Sequence, residues 1–367
     1  MAIFFLYLSL SFSAITLFTF EGLAVKPYHI VALTLLPGVV LRMRRRRAPV
    51  PWPPLLFLFY ALLASLAVWL FLGGFLADTA KPNPLWLNYA FALYLFLLGW
   101  AYGKPSARRP LFLASLAMAL AVGFKLLGYA SELADYLEKP YAHPELFWFY
   151  GGGPNLEASW LVASAAFALG TPLFWPLWLG VLAVAGLYAS RAALVLAVAL
   201  AVAALLGRGG WRIAARAVLL GVIVVGVVAE LNPYALNRFR SLGYDPGSAT
   251  RLELWQGALA AFESWPLGYG AGNALAAVEE VTSVPYREDN VHNYYLQVAL
   301  DFGLPGLLLW LWAVAWAAKR FRGFRGPDPI GTFVLLYLIG ALVQYRGADP
   351  LFWLVLGLLA ANGGRRG

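Results

Sequence analysis

Cysteine is absent from the 367 residues, so no disulfide framework holds this chain and its redox compartment is not readable. Charge is scarce too: 12% of residues are charged, against roughly a quarter in soluble domains. Histidine occurs three times, at His29, His143 and His292. There is no GxxxxGK[ST] phosphate loop, no HExxH, no histidine pair at helical spacing and no Asp-x-Asp, so the sequence offers no metal-ligand pattern. What fills the space is apolar. At 62% hydrophobic residues the chain cannot hide its side chains in one water-soluble core, and the composition is that of a polytopic membrane protein.

A crossing needs about 20 mostly apolar residues, and about twelve segments qualify. They lie near 2–20, 27–41, 55–76, 85–102, 111–130, 156–170, 173–189, 192–206, 213–229, 292–317, 329–345 and 349–361. The first segment lacks a basic leader and ends in Phe20-Glu21-Gly22 rather than a small-x-small cleavage site, so it reads as a span and not as a signal peptide. With the N-terminus inside, alternate loops collect most of the 27 basic residues: Arg42 and Arg44 to Arg47, Lys104 with Arg108 and Arg109, Arg208 with Arg212 and Arg216, Lys319 to Arg325, and Arg365 with Arg366. That is the positive-inside pattern. The net charge of +9 is therefore mostly topological, and a nucleic-acid partner is not implied.

The fold class expected is all-α: a polytopic transmembrane bundle with one large external loop containing short amphipathic helices. An N-terminal bundle of about nine spans covers 1–229, the polar loop 230–291, and about three further spans 292–367. A second external segment runs from Ser131 to Asn155. In the large loop, Asp245-Pro246-Gly247-Ser248 reads as turn and cap. The spacing then predicts a helix over 249–265, with Leu252, Trp255, Leu259 and Phe262 near one face. Pro266-Leu267-Gly268-Tyr269-Gly270-Ala271-Gly272-Asn273 breaks it, and a shorter helix over 274–281 follows.

Three side chains stand out. Arg191 lies in a very short external turn between apolar segments; it either snorkels to the interface or holds an anion, for which its planar fork suits phosphate oxygens. Arg251 lies on the loop helix, where it is either a solvated partner of Glu253 or Asp245 or a second cation. His292 opens the next apolar helix and is either a capping residue or a proton-transfer group working near neutral pH. After it, Asn293, Gln297 and Asp301 recur every four residues, a polar stripe read mainly as packing and orientation. The glycines of GYGAGN precede no βαβ unit, so they make no dinucleotide site.

In chain order, Ser190-Arg191, then Arg251 with Trp255, Pro266-Leu267-Gly268-x-Gly270-x-Gly272, His292-Asn293 with Leu296, and Asp301-x-Gly303-x-x-Gly306 resemble the O-antigen ligase and polymerase superfamily, the membrane glycosyltransferases called WaaL and Wzy. The resemblance is specific over 188–310; the first half is similar only as a hydrophobic bundle. It implies a cofactor-free, metal-independent transfer of a glycan from an undecaprenyl-diphosphate donor to a lipid A core or other glycan acceptor, at the periplasmic face of the bacterial inner membrane among its lipids. Arg191 and Arg251 would hold the diphosphate, and His292 would deprotonate or orient the acceptor hydroxyl. Arg287, Asn293, Tyr294 and Tyr295 would contact substrate.

Three other readings compete. A Wzy-type polymerase differs mainly in its acceptor. A polytopic transporter or flippase explains the spans and the polar stripe, but not the long loop with Arg251. A peptidoglycan polymerase of the SEDS type depends on a loop Asp, whereas the pattern here is Arg/Arg/His.

Overall fold

A computed structural model of the chain describes residues 2–20, 23–44, 49–72, 85–103, 107–129, 149–150, 153–208, 219, 221–222, 226, 246–286, 290–320, 328–344 and 347–362. Its helices are α1 (Ala2–Ser11), α2 (Pro27–Thr34), α3 (Leu36–Arg44), α4 (Trp52–Leu72), α5 (Leu85–Tyr102), α6 (Arg108–Gly128) and α7 (Pro154–Ala165). They continue with α8 (Phe174–Leu187), α9 (Arg191–Arg208), α10 (Pro246–Ser264), α11 (Ala274–Thr282), α12 (Tyr294–Arg320), α13 (Pro329–Gly340) and α14 (Pro350–Asn362). A 3-10 turn, Ala166–Ala168, follows α7.

Helix dominates, as the apolar segments require. Among the described residues two helices, Arg108–Gly128 and Tyr294–Lys319, are long and apolar enough to cross a membrane; others, such as Trp52–Val68 and Pro350–Ala361, are apolar but shorter. The expectation of about twelve crossings thus meets two helices of full spanning length. The N-terminus also differs from the sequence reading. The segment 2–20 is helical only to Ser11 and ends in a two-stranded antiparallel hairpin, Phe18–Phe20 with Leu23–Val25. The segment 27–41 is split at Leu35, because Pro37 brings no N–H to continue the ladder of α2 and suits the first turn of a new helix.

Helix direction can be read from the contacts. The Arg108 guanidinium, at the start of α6, donates to the Leu169 carbonyl just beyond α7. At the other end of α6, Lys125 pairs with Glu157 in the first turns of α7. So α6 and α7 run antiparallel. Tyr294 N–H donates to the Ala341 carbonyl at 2.8 Å, so the start of α12 meets the end of α13. The ends that carry Arg108 and Asp328 are those the basic-residue pattern assigns to one side.

Helices pack through small residues where backbones touch. On α5 and α14, a methyl added at Gly99 would lie 2.1 Å from the Leu354 carbonyl oxygen, and one at Gly357 would lie 2.1 Å from that of Phe96. Beside them Phe57, Trp310, Phe352 and Trp353 make an aromatic column, with Phe57 stacked on Trp353 at 5.8 Å between centroids. A second, smaller core is separate. Leu254, Ala258 and Ala261 of α10 close on Ala274, Ala277 and Val278 of α11, and on Val291 and Leu300. Thus α10 begins at Pro246, earlier than the sequence predicts, since proline suits a first helical position. Its face toward α11 is the alanine face; Leu252 and Leu259, on the face of large apolar residues, are exposed.

Candidate functional site

Arg191 sits on a turn with no spare residue. The end of α8 closes as a Schellman motif: Ser190 N–H donates to the Ala185 carbonyl and Ala189 N–H to that of Gly186, both at 2.9 Å. Ala189 takes the left-handed conformation, φ 50. Ser190 then starts α9 as its cap, its Oγ accepting from Ala193 N–H at 3.4 Å. Arg191 is therefore the first residue of α9, half-buried.

Below that turn is a buried ionic cluster that the sequence reading passed over. Glu157 is fully buried and accepts from Lys125 Nζ, from Tyr188 Oη at 2.8 Å and from Tyr150 N–H at 3.3 Å. The Lys125 ammonium also lies 4.6 Å from the Phe149 ring centroid. Three donors on one carboxylate is what burial of that charge demands. The available signal was an acid and a lysine inside otherwise apolar runs. Nearby, Gln344 beyond α13 donates to Ser159 Oγ at 3.0 Å and to the Asn155 carbonyl at 3.2 Å. Tyr150 donates to Asp349, which in turn accepts from Leu351 N–H at the start of α14.

His292 lies at φ 51, a conformation that costs a side-chain residue roughly 1–2 kcal/mol. The peptides that precede it are tied. Its own N–H donates to Asn290 Oδ1 at 2.8 Å. The Val291 N–H donates to Gln297 Oε1 at 3.2 Å, and the Val291 carbonyl accepts from Trp255 Nε1 at 2.9 Å. Asn293 caps α12, its Oδ1 accepting from Tyr295 and Leu296 N–H. Asn293, expected at substrate, thus has its carbonyl committed to the helix start. Tyr294, expected there too, is 1% exposed and lies edge-on to Trp310, so its ring is core material. Tyr295 is half-buried, its hydroxyl donating to the Leu338 carbonyl at 3.3 Å. Arg287 lies outside the described residues.

The glycine-rich loop owes its shape to a break in α12. Pro305 has no N–H, so the Asp301 carbonyl loses its helical donor. Gly303 sits at φ 65, ψ −170, which only glycine adopts freely. The loop supplies what the break removes. Tyr269 N–H donates to the Leu300 carbonyl at 2.7 Å, Gly270 N–H to that of Asp301 at 3.0 Å, and Leu304 N–H to that of Pro266 at 2.8 Å. From the other side, Tyr60 Oη reaches the Phe302 carbonyl at 3.3 Å. The buried Asp301 carboxylate adds Gly272 N–H at 3.2 Å and the Gln297 amide at 3.2 and 3.3 Å. Of the polar stripe of α12, Asp301 thus fastens the loop, with Gln297 bonded to it.

Arg251 stands one helical turn before Trp255, whose indole donates to the carbonyl of Val291, the residue before His292, so Arg251 and His292 both flank the same small core. Arg191 belongs to the neighbouring group. The end of α8 just before it is connected through Tyr188 and Glu157 to the start of α7, which Asn155 and Gln344 join to the end of α13, where Ala341 meets Tyr294. Arg191, Arg251 and His292 are each half-buried.

Residues 175–311 match the family model described as O-antigen ligase. No curated protein matches the chain. The matched segment runs from α8 past the break in α12 and includes Arg191, Arg251, His292, the glycine-rich loop and Asp301. Over residues 175–311, which include all three candidate side chains, this chain is similar to the O-antigen ligase family.

Proposed function

We propose that this chain is a membrane glycosyltransferase of the O-antigen ligase type, acting at the periplasmic face of the bacterial inner membrane without a metal. It moves a glycan from undecaprenyl diphosphate to an acceptor sugar hydroxyl. The acceptor oxygen attacks the anomeric carbon, the bond from that carbon to the phosphate oxygen breaks, and undecaprenyl diphosphate leaves. His292 takes the acceptor proton as general base. Arg191 and Arg251 offset the charge that grows on the departing diphosphate, and their planar forks bind two oxygens each. A diphosphate is already a good leaving group, so positioned cations suffice.

What supports this reading, beyond the family match, is one observation: the Trp255 indole bond to Val291 holds the Arg251 helix against the turn carrying His292. A proton acceptor and a cation, each half-buried on elements that one bond joins, suit a reaction in which one bond forms as another releases a polyanion.

The test is reconstitution of purified protein with a prenyl-diphosphate oligosaccharide and separate acceptors. His292→Ala, Arg191→Ala and Arg251→Ala are each expected to lower kcat at least about 100-fold while the protein still purifies from membranes. Full activity of any one removes that residue from the mechanism. Product on a lipid A core identifies a ligase; growth on the prenyl carrier identifies a polymerase and overturns the ligase reading.

A further inference from the structure

We infer that Gln297, oriented by Asp301, and Trp255 are positioning residues that clamp the Val291 peptide and so aim His292 at the acceptor hydroxyl; the inference rests on the reading of His292 as base. The clamp has two jaws from different elements. Gln297, one turn inside α12, reaches back to the Val291 N–H at 3.2 Å. Trp255, on α10, reaches the Val291 carbonyl at 2.9 Å.

Neither jaw is needed to begin α12. Asn293 already caps it through Tyr295 and Leu296 N–H. Gln297 instead spends its carbonyl on a residue outside the helix. A left-handed φ is uncommon for any residue with a side chain, histidine included, and the surrounding bonds help to hold it there.

Asp301 sets which way the Gln297 amide points. A carboxylate only accepts, so the Gln297 NH2 must face it, at 3.2 and 3.3 Å from its two oxygens. The Gln297 carbonyl is thereby turned to Val291. Asp301 also accepts from Gly272 N–H at 3.2 Å. The glycine-rich loop and the His292 turn thus share one buried carboxylate, 4% exposed.

The experiment compares Trp255→Phe, Gln297→Leu, Asp301→Asn and the double variant Q297E/D301N with wild type and with His292→Ala, all as full-length protein in the transfer assay. Trp255→Phe keeps a ring in the small core and loses only the indole donor. In the double variant the amide and carboxylate trade places: an Asn donates to a Glu, whose other oxygen still accepts from Val291.

The expected result is a kcat about 10- to 100-fold lower in each single variant, the scale for a reacting group misplaced by about 1 Å. The donor KM should stay within about two-fold, since the cations hold the donor. The double variant should recover most of the Asp301→Asn loss. Wild-type kcat in Trp255→Phe and Gln297→Leu, alongside an inactive His292→Ala, overturns the clamp and leaves the catalytic reading standing. An active His292→Ala overturns both. If Gln297→Leu does not purify, Trp255→Phe and the double variant decide: a double variant no better than Asp301→Asn removes the Asp301 arm.

Discussion

Gly303→Ala tests the joint between the glycine-rich loop and the broken helix most directly. A methyl built there would lie 2.3 Å from the Leu267 carbonyl carbon and oxygen and 2.7 Å from the Pro266 carbonyl oxygen. All are backbone atoms that no rotamer change can move. The backbone at φ 65, ψ −170 adds roughly 1–3 kcal/mol of strain for any side-chain residue. If the loop lifts away, the bonds at Leu304, Tyr269 and Gly270 go with it, at about 1 kcal/mol net each. The sum, roughly 4–6 kcal/mol, is an upper bound, because detaching the loop relieves the overlap that drives it off.

The assay is amide hydrogen exchange over residues 266–272 together with thermal unfolding in detergent. Gly180→Ala serves as the comparison. That position lies in α8 with nothing within 4 Å of an added methyl, and alanine there should be neutral or stabilising by about 0.5–1 kcal/mol. In Gly303→Ala, exchange at Tyr269 and Gly270 should accelerate at least about 10-fold, the equivalent of 1.4 kcal/mol of easier opening. Exchange and melting indistinguishable from Gly180→Ala would refute the claim that the loop is seated on this glycine.

Other perturbations follow from the packing. Lys125→Met should destabilise by about 3–5 kcal/mol, because it leaves the Glu157 carboxylate buried without its cation, and the double variant K125M/E157Q should recover most of the loss in thermal unfolding. Gly357→Leu should prevent α5 and α14 from closing, seen as loss of monodisperse protein on size-exclusion chromatography. Asn293→Ala should cost about 1 kcal/mol in the same melts through loss of the α12 cap.

The sequence made some of this legible and hid the rest for identifiable reasons. Helical segments, the loop helices and the break at Pro266 follow from periodicity, proline and glycine, which act locally. The N-terminal hairpin did not show, because its strands are only three residues each and Glu21-Gly22 between them is not one of the strong two-residue turn pairs. Which face of α10 packs against α11 did not follow from the spacing of its large residues. Against a close neighbour helix it is alanine and glycine that fit: a methyl at Gly257 would lie 2.7 Å from Thr282 Cγ2 and 2.8 Å from Val278 Cγ1. At the site, Arg251, Trp255 and His292 could be named from the sequence, but the bond from Trp255 to Val291 joins residues 36 apart and has no local signature. Lys125 and Glu157 are likewise 32 apart, and each alone looks like an error in an apolar run.

The two left-handed turns that carry Arg191 and His292 differ in what holds them, and magnitudes separate them. At Ala189, replacing alanine by glycine would relieve roughly 1–2 kcal/mol of left-handed strain. It would also uncover the space of a fully buried methyl, about 0.8 kcal/mol, and give the unfolded chain extra freedom worth about 0.4–1 kcal/mol. These nearly cancel, so Ala189→Gly should melt within about 1 kcal/mol of wild type, with transfer unchanged because the Schellman bonds still fix Arg191. A larger shift in either direction would mean that the methyl or the strain matters more than this accounting allows. His292 has no such compensation. Its side chain is polar and half-buried, and burial of carbon cannot offset its backbone cost. What offsets it is hydrogen bonding at Asn290, Val291 and the start of α12, which is why loss of one bond from Trp255 or Gln297 should register in catalysis before it registers in melting.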